Sequence, residues 1–330
     1  MLEKPLRANG SGFLPRRASW VVGAALAAML GTAFVGNKPA TRSTPSPIAK
    51  AEIKPAAVQV VQQAEIKPAA VQVVQHPSGG KLVICGGGKL PPPIRDRFCS
   101  LAGGPQARIV VIPTATARAD HLDYLNHVLD DWRACGVGSV RLLHTRSREE
   151  ANNPAFVKPL AEATGVWFTG GDQTFLTKAY LNTLVERQLK ALLRRGGVIG
   201  GTSAGAAVMS GVMIAGGQTR ADVSQGFDFI TGAVIDQHFL KRNRVERLVG
   251  VLSSHPNLVG LGIDEETALV VDVREHHLSV IGDSYVVACV PDSQNKSVRL
   301  KFLKSGDQTD LADLKIPAVA TTPVLGLGSL

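Results

Sequence analysis

Cysteine is scarce in this 330-residue chain: four residues, at 85, 99, 135 and 289, with no CxxC pair. That spacing excludes a cysteine zinc site, and the number is too small for a disulfide scaffold, so stability must come from an apolar core. The glycine-rich run CGGGKL at 85–90 fits neither GxxxxGK[ST] nor GxGxxG, which leaves a glycine turn at a strand end in place of a nucleotide loop. A net charge of one sign is nearly absent from the body of the chain. Residues 81–330 hold 27 Lys and Arg against 24 Asp and Glu, whereas residues 1–80 hold 9 against 3. The formal charge of +9 therefore sits largely in the leader and makes no case for a nucleic-acid partner. With 45% apolar and 19% charged residues, a wholly disordered or fibrous protein is excluded.

What is present begins with an address. Lys4, Arg7, Arg16 and Arg17 precede an uncharged apolar run over residues 19–36, the pattern of an export signal. The run is just long enough to serve as a retained anchor, and Arg16–Arg17 fits twin-arginine export. Residues 1–36 are thus expected to be an export signal or signal anchor, the only membrane-directed segment, and the protein periplasmic or extracellular. Residues 37–79 shift to Pro, Ala, Thr, Ser, Gln and Lys and contain AEIKPAAVQVVQ twice, at 51–62 and 64–75. A repeat this short and proline-broken reads as a tether expanded by duplication.

From residue 80 the pattern becomes regular. Short apolar runs at 81–88, 108–115, 139–144, 165–171 and 196–201 alternate with helical spacing at 120–135 and 174–195. Such alternation predicts right-handed crossovers and a mainly parallel sheet covered on both faces, with ligands gathered at the strand C-terminal ends. Further strands are expected at 258–264, 267–273, 277–282 and 285–290. Residues 304–330 show no period and read as a loose tail.

One junction carries chemistry. Gly201-Thr202-Ser203-Ala204-Gly205 fits GxSxG between an apolar strand and AAVMSGVMI, which can open as a helix. Small flanking residues allow the strained turn that exposes a serine oxygen, and the N–H that follows faces a developing oxyanion. His238 stands out among eight histidines because Asp236 and Gln237 precede it and Arg242, Arg244 and Arg247 follow. Val245, Leu248, Val249 and Leu252 keep helical spacing, which predicts a helix over 241–254 with the three arginines in its first turns. Cations there oppose the helix dipole; an anionic ligand would offset this, and a solvated basic face is the alternative.

Four motifs in order, TGGDQTF (169–175), GGTSAGA (200–206), DQHFxxRxRxxRL (236–248) and GIDEETA (262–268), make residues 80–303 resemble the cyanophycinase branch of a serine peptidase family that also contains aspartyl dipeptidases. The resemblance implies a three-layer α/β sandwich similar to class I glutamine amidotransferases, flavodoxin-like, with extra C-terminal strands. It implies Ser203 as nucleophile, His238 as base and Glu265 as acid, with adjacent Asp264 a rival because only one of two neighbours at a strand end can reach the histidine. It places oxyanion donors at Ala204 and the glycine pair Gly170 and Gly171, and substrate contacts at Gln173, Asp236, Gln237, Arg242, Arg244 and Arg247. The implied reaction is metal-free and cofactor-free acyl-enzyme hydrolysis of cyanophycin, a poly-aspartate carrying isopeptide-linked arginines, to β-Asp-Arg dipeptides. Arginines would meet substrate carboxylates, and Asp236 a substrate guanidinium. A dipeptidase acting on Asp-rich peptides and a non-catalytic peptide-binding homologue are the alternatives. A homodimer is compatible with the resemblance.

Overall fold

The computed structural model describes residues 79–292 and 297–315, within the larger of the chain's two units, Ala70–Leu330. The expected signal and tether, with its duplication, lie outside these residues, as does the tail from 316 onward. Among the described residues no helix is long and apolar enough to cross a membrane.

The chain opens with β1 (Lys81–Cys85), α1 (Pro92–Leu101), β2 (Arg108–Ile112), α2 (Leu122–Arg133), β3 (Ser139–Leu142), α3 (Pro154–Glu162) and β4 (Gly165–Phe168). It continues through α4 (Gln173–Tyr180), α5 (Leu184–Arg194), β5 (Val198–Thr202), α6 (Ala204–Ala207), β6 (Val212–Gly216), β7 (Asp222–Gln225) and β8 (Ala233–Gln237). The last third holds α7 (Val245–Ser254), β9 (Val259–Ile263), β10 (Thr267–Asp272), β11 (His277–Gly282), β12 (Tyr285–Asp292), β13 (Ser297–Lys304), β14 (Gln308–Asp310) and α8 (Leu311–Leu314).

The main sheet has the order β14-β11-β10-β1-β5-β4-β2-β3. Its five alternating strands pair in parallel and the last three join antiparallel, so the expected α/β sandwich with a mainly parallel sheet and added C-terminal strands is what the chain forms. Strand alternation divides the core. Val83, Ile109, Val111 and Trp167 face one layer, where Phe98 of α1 packs edge to face against both Trp132 of α2 and Trp167. Leu82, Ile84, Val110, Ile112, Val166 and Phe168 face the other, against α3, α4 and α5.

Four expectations require correction. Residues 258–264 and 285–290 do not extend the main sheet: β9 and β12 belong to a second sheet of order β13-β12-β9-β8. This sheet lies on the helical face, with Ile235, Leu261 and Ile263 in the shared core and α7 on its outer side. The single helix expected over 174–195 is two, α4 and α5, broken where Asn182 takes φ 61°. Helix α7 starts at Val245, so residues 241–244 form a turn and only Arg247 of the trio is inside the helix. Residues 304–315 are not loose, because β14 pairs with β11, and Leu311 and Leu314 are buried.

Candidate active site

Ser203 lies between β5 and α6 with φ 54° and ψ −109°, a conformation open to glycine and costly for other residues. Its N–H donates to the Cys85 carbonyl at 3.0 Å and its carbonyl accepts from Ala206 and Ala207. Those bonds, with the burial of α6, hold the strained residue in place. The flanking glycines are set by space: a Cβ on Gly201 would stand 2.6 Å from the Gly205 backbone, and one on Gly205 2.5 Å from the Phe168 carbonyl oxygen. Helix α6 is a single turn, shorter than the sequence pattern predicts, so individual N–H groups rather than a long helix dipole face the serine. Among the described residues the N–H groups of Gly171 and Ala204 have no hydrogen-bond acceptor. Gly171, at φ 144°, is pressed against the Ala115 carbonyl, and a Cβ on neighbouring Gly170 would be 3.5 Å from the Ser203 Cβ.

The structure brings three of the expected residues into one line. The Ser203 Oγ is 2.8 Å from His238 Nε2, and His238 Nδ1 is 2.6 Å from Glu265 Oε1. Asp264 is engaged elsewhere: it accepts from the Lys241 N–H at 2.9 Å and the Ser284 hydroxyl at 2.8 Å, tying the turn after β8 to β12. His238 also has a positive φ, 49°, held by its N–H donating to Gly86 O at 2.7 Å. The glycine run after β1 supplies the room. A Cβ on Gly87 would fall 2.2 Å from the imidazole Cε1, and one on Gly86 2.1 Å from the Asp264 carbonyl oxygen. Nothing in the sequence around residues 85–88 signalled this role.

Burial holds the His238 pKa below the usual histidine value, the Glu265 carboxylate pulls it back up, and the charges of Arg242 and Arg244 push it down again. The ring is therefore neutral near pH 7, able to accept a proton from Ser203 and, once charged, to be held by Glu265. The sign of the Arg242 effect is testable. Removing a cation that disfavours imidazolium raises the His238 pKa, so the acid limb of kcat/KM moves to higher pH in Arg242→Ala. A pH–rate profile reads this independently of any change in KM, and an unmoved limb would separate Arg242 from the histidine.

The remaining expected residues divide by burial. Arg242 is exposed. Arg244 caps α7, donates to the Gln237 carbonyl at 2.6 Å, and lies 3.6 Å from Asp236; burial and its cationic neighbours bring it down to about 10, still charged at neutral pH. Gln237 is buried, with Oε1 unpartnered. Gln173 donates both amide hydrogens to β6, reaching Ile214 O at 2.7 Å and Ala215 O at 2.9 Å. The expectation that Arg247 and Asp236 face substrate does not fit their placement. Asp236 is fully buried and Arg247 is 2% exposed. They form a two-pronged pair, Nε to Oδ2 at 2.9 Å and Nη2 to Oδ1, and Nη1 reaches the Gly217 carbonyl. Burial pushes the Asp236 carboxyl up against the pull of Arg247. With both oxygens taken, Asp236 has no place for a substrate guanidinium, and the pair forms the wall behind Arg244.

A serine on a strand-to-helix elbow, followed in line by histidine and glutamate on a mainly parallel α/β sandwich, is the arrangement of a serine-type hydrolase. The chain belongs to peptidase family S51, whose model matches residues 82–279, and is a serine-type, cyanophycinase-like peptidase. It is 34% identical over 227 residues to a cyanophycinase of Synechococcus elongatus, covering 65% of this chain and 70% of that one. A cyanophycinase of Geminocystis herdmanii is likewise 34% identical, over 201 residues, covering 58% and 73%. Among solved structures, a peptidase from an acI-B1 Actinobacterium superposes with a TM-score of 0.57 at 25% identity, covering 72% of this chain and 98% of that one.

Proposed function

We propose that the chain is an exported serine exopeptidase that hydrolyses cyanophycin to β-Asp-Arg dipeptides. The observation that carries the reading is the unbroken hydrogen-bond chain from Ser203 through His238 to Glu265. In it, Ser203 Oγ attacks the scissile carbonyl and passes its proton to His238 Nε2, while Glu265 holds Nδ1. The N–H groups of Ala204 and Gly171 take the oxyanion. The tetrahedral adduct collapses, His238 returns the proton to the leaving amine, and water hydrolyses the acyl-serine by the same route. Arg242, Arg244 and Gln237 contact substrate, Gln173 positions the rim beside β6, and the Asp236–Arg247 pair supports Arg244. Two cations next to the nucleophile suit a polymer rich in carboxylates, and the cyanophycinase relatives support that substrate. Export rests on the pattern of residues 1–36.

The test is incubation of the purified full chain with insoluble cyanophycin and mass analysis of what is released, with cell fractionation of the full chain and of a chain lacking residues 1–36. β-Asp-Arg dipeptides, and retention of the shortened chain in the cytoplasm, are expected. Cleavage of short aspartyl peptides with the polymer untouched would make it a dipeptidase. A serine-directed phosphonate that fails to label it would make it a binding protein.

A further inference from the structure

The rim that carries Ser203 also opens into a cavity of about 390 Å³ lined by Ala117, Asp120, Arg146, Phe175, Lys178 and Ala179. One short loop separates it from the elbow. The Ala115 carbonyl accepts from the Asp172 N–H at 2.8 Å and abuts Gly171, and Ala117 lies two residues further along that loop. Phe175 and Lys178 project from α4, which starts at Gln173. The cavity thus lies beside the candidate oxyanion loop, on the side away from β1.

Its charge is organised before any ligand arrives. The Arg146 guanidinium is 3.0 Å from Asp120 Oδ2, donates to the Thr116 carbonyl at 2.9 Å, and stands 5.0 Å from the centre of the Phe175 ring. Asp120 also meets His144 Nε2 at 3.1 Å, and His144 Nδ1 is 2.8 Å from Thr114 Oγ1, which is 2.6 Å from the buried Tyr180 hydroxyl. Both Asp120 oxygens are therefore engaged. Arg146 keeps donors to spare, and the exposed Lys178 ammonium has no partner among the described residues. Arg146 fixed over the Phe175 ring and Lys178 on the same lining, against one carboxylate already bound, leave a surplus of positive charge in the cavity.

We propose that this cavity is a remote substrate subsite that takes a carboxylate of the peptide polymer beyond the two units that flank the scissile bond, with Arg146 and Lys178 as its cationic contacts. The assignment rests on the cyanophycin reading, in which every unit carries a free arginine carboxylate. It gives the enzyme a preference for chain length that the triad alone does not supply, because only a substrate longer than the two units that flank the scissile bond spans both the elbow and the cavity.

Lys178→Glu tests it cleanly, since Lys178 holds no other side chain, whereas Arg146 also braces the loop. Steady-state kinetics of the full chain on a soluble cyanophycin fragment of six units should show KM raised at least about fivefold with kcat unchanged, the effect shrinking at high salt. KM for a two-unit substrate should stay within about twofold, as should the melting temperature within error. Equal changes for both lengths, or none for the six-unit fragment, would overturn the subsite while leaving the peptidase reading intact. Absence of turnover of either fragment by the unaltered chain would instead remove the cyanophycin reading, and the subsite with it.

Discussion

Replacing Ser203 with alanine is expected to lower kcat by at least about 10⁴-fold, because in the proposed mechanism the hydroxyl is the nucleophile. The fold should persist, since the residue is held by backbone bonds to Cys85, Ala206 and Ala207 and not by its side chain. Glycine at the same position separates chemistry from strain. A non-glycine residue at φ 54°, ψ −109° costs on the order of 1–3 kcal/mol, against roughly 0.5–1 kcal/mol of extra chain entropy lost by glycine on folding. Ser203→Gly should therefore be as inactive as Ser203→Ala but melt at a higher temperature. Residual turnover above about 1% in either variant would remove Ser203 from the role proposed, and a glycine variant no more stable than the alanine one would show that the elbow stores no strain.

Arg247→Ala is expected to act on folding first. It leaves the Asp236 carboxylate fully buried and without its two-pronged partner, a change that costs about 3–5 kcal/mol, a large share of the roughly 5–15 kcal/mol that keeps a domain folded. With the cation gone, the already raised Asp236 pKa moves further up. The deficit should therefore be largest near neutral pH and shrink as the pH falls and the carboxyl takes a proton. Denaturant unfolding at several pH values reads this. Where the single variant proves too unstable to purify, the double change Asp236→Leu, Arg247→Met removes both charges and should recover most of the stability. A loss below about 1 kcal/mol, or one that grows toward acid pH, would show that the buried pair does not hold the fold.

The elbow and the alternation of strands and helices were legible because each rests on local pattern: a GxSxG between an apolar run and small residues, and short apolar strands of four or five residues. The second sheet was not. β8 and β9 are buried along their whole length, so they carry no alternation, and an unbroken apolar run does not state which sheet it joins. The division of α4 from α5 left a trace that helical spacing masked: Thr183-Leu184-Val185-Glu186 has the form of a capping box, and Glu186 accepts the Asn182 N–H. The role of Arg247 had no sequence signal, because its partner lies eleven residues back on another element. Only the resemblance favours Glu265 over Asp264; the structure separates them, because Glu265 meets His238 while Lys241 and Ser284 claim the aspartate.

Ser203 stands at the end of a main-sheet strand, His238 at the end of β8 in the second sheet, and Glu265 where the chain crosses from one sheet back to the other. The reacting line therefore spans a seam, and its 2.8 Å contact tolerates little sliding of one layer over the other. Side chains packed in that seam, such as Ile235, Leu261 and Ile263, act as shims. Their volumes fix the spacing between the serine and the histidine, so the alignment of the proposed triad is as much a property of the packing between layers as of its three residues.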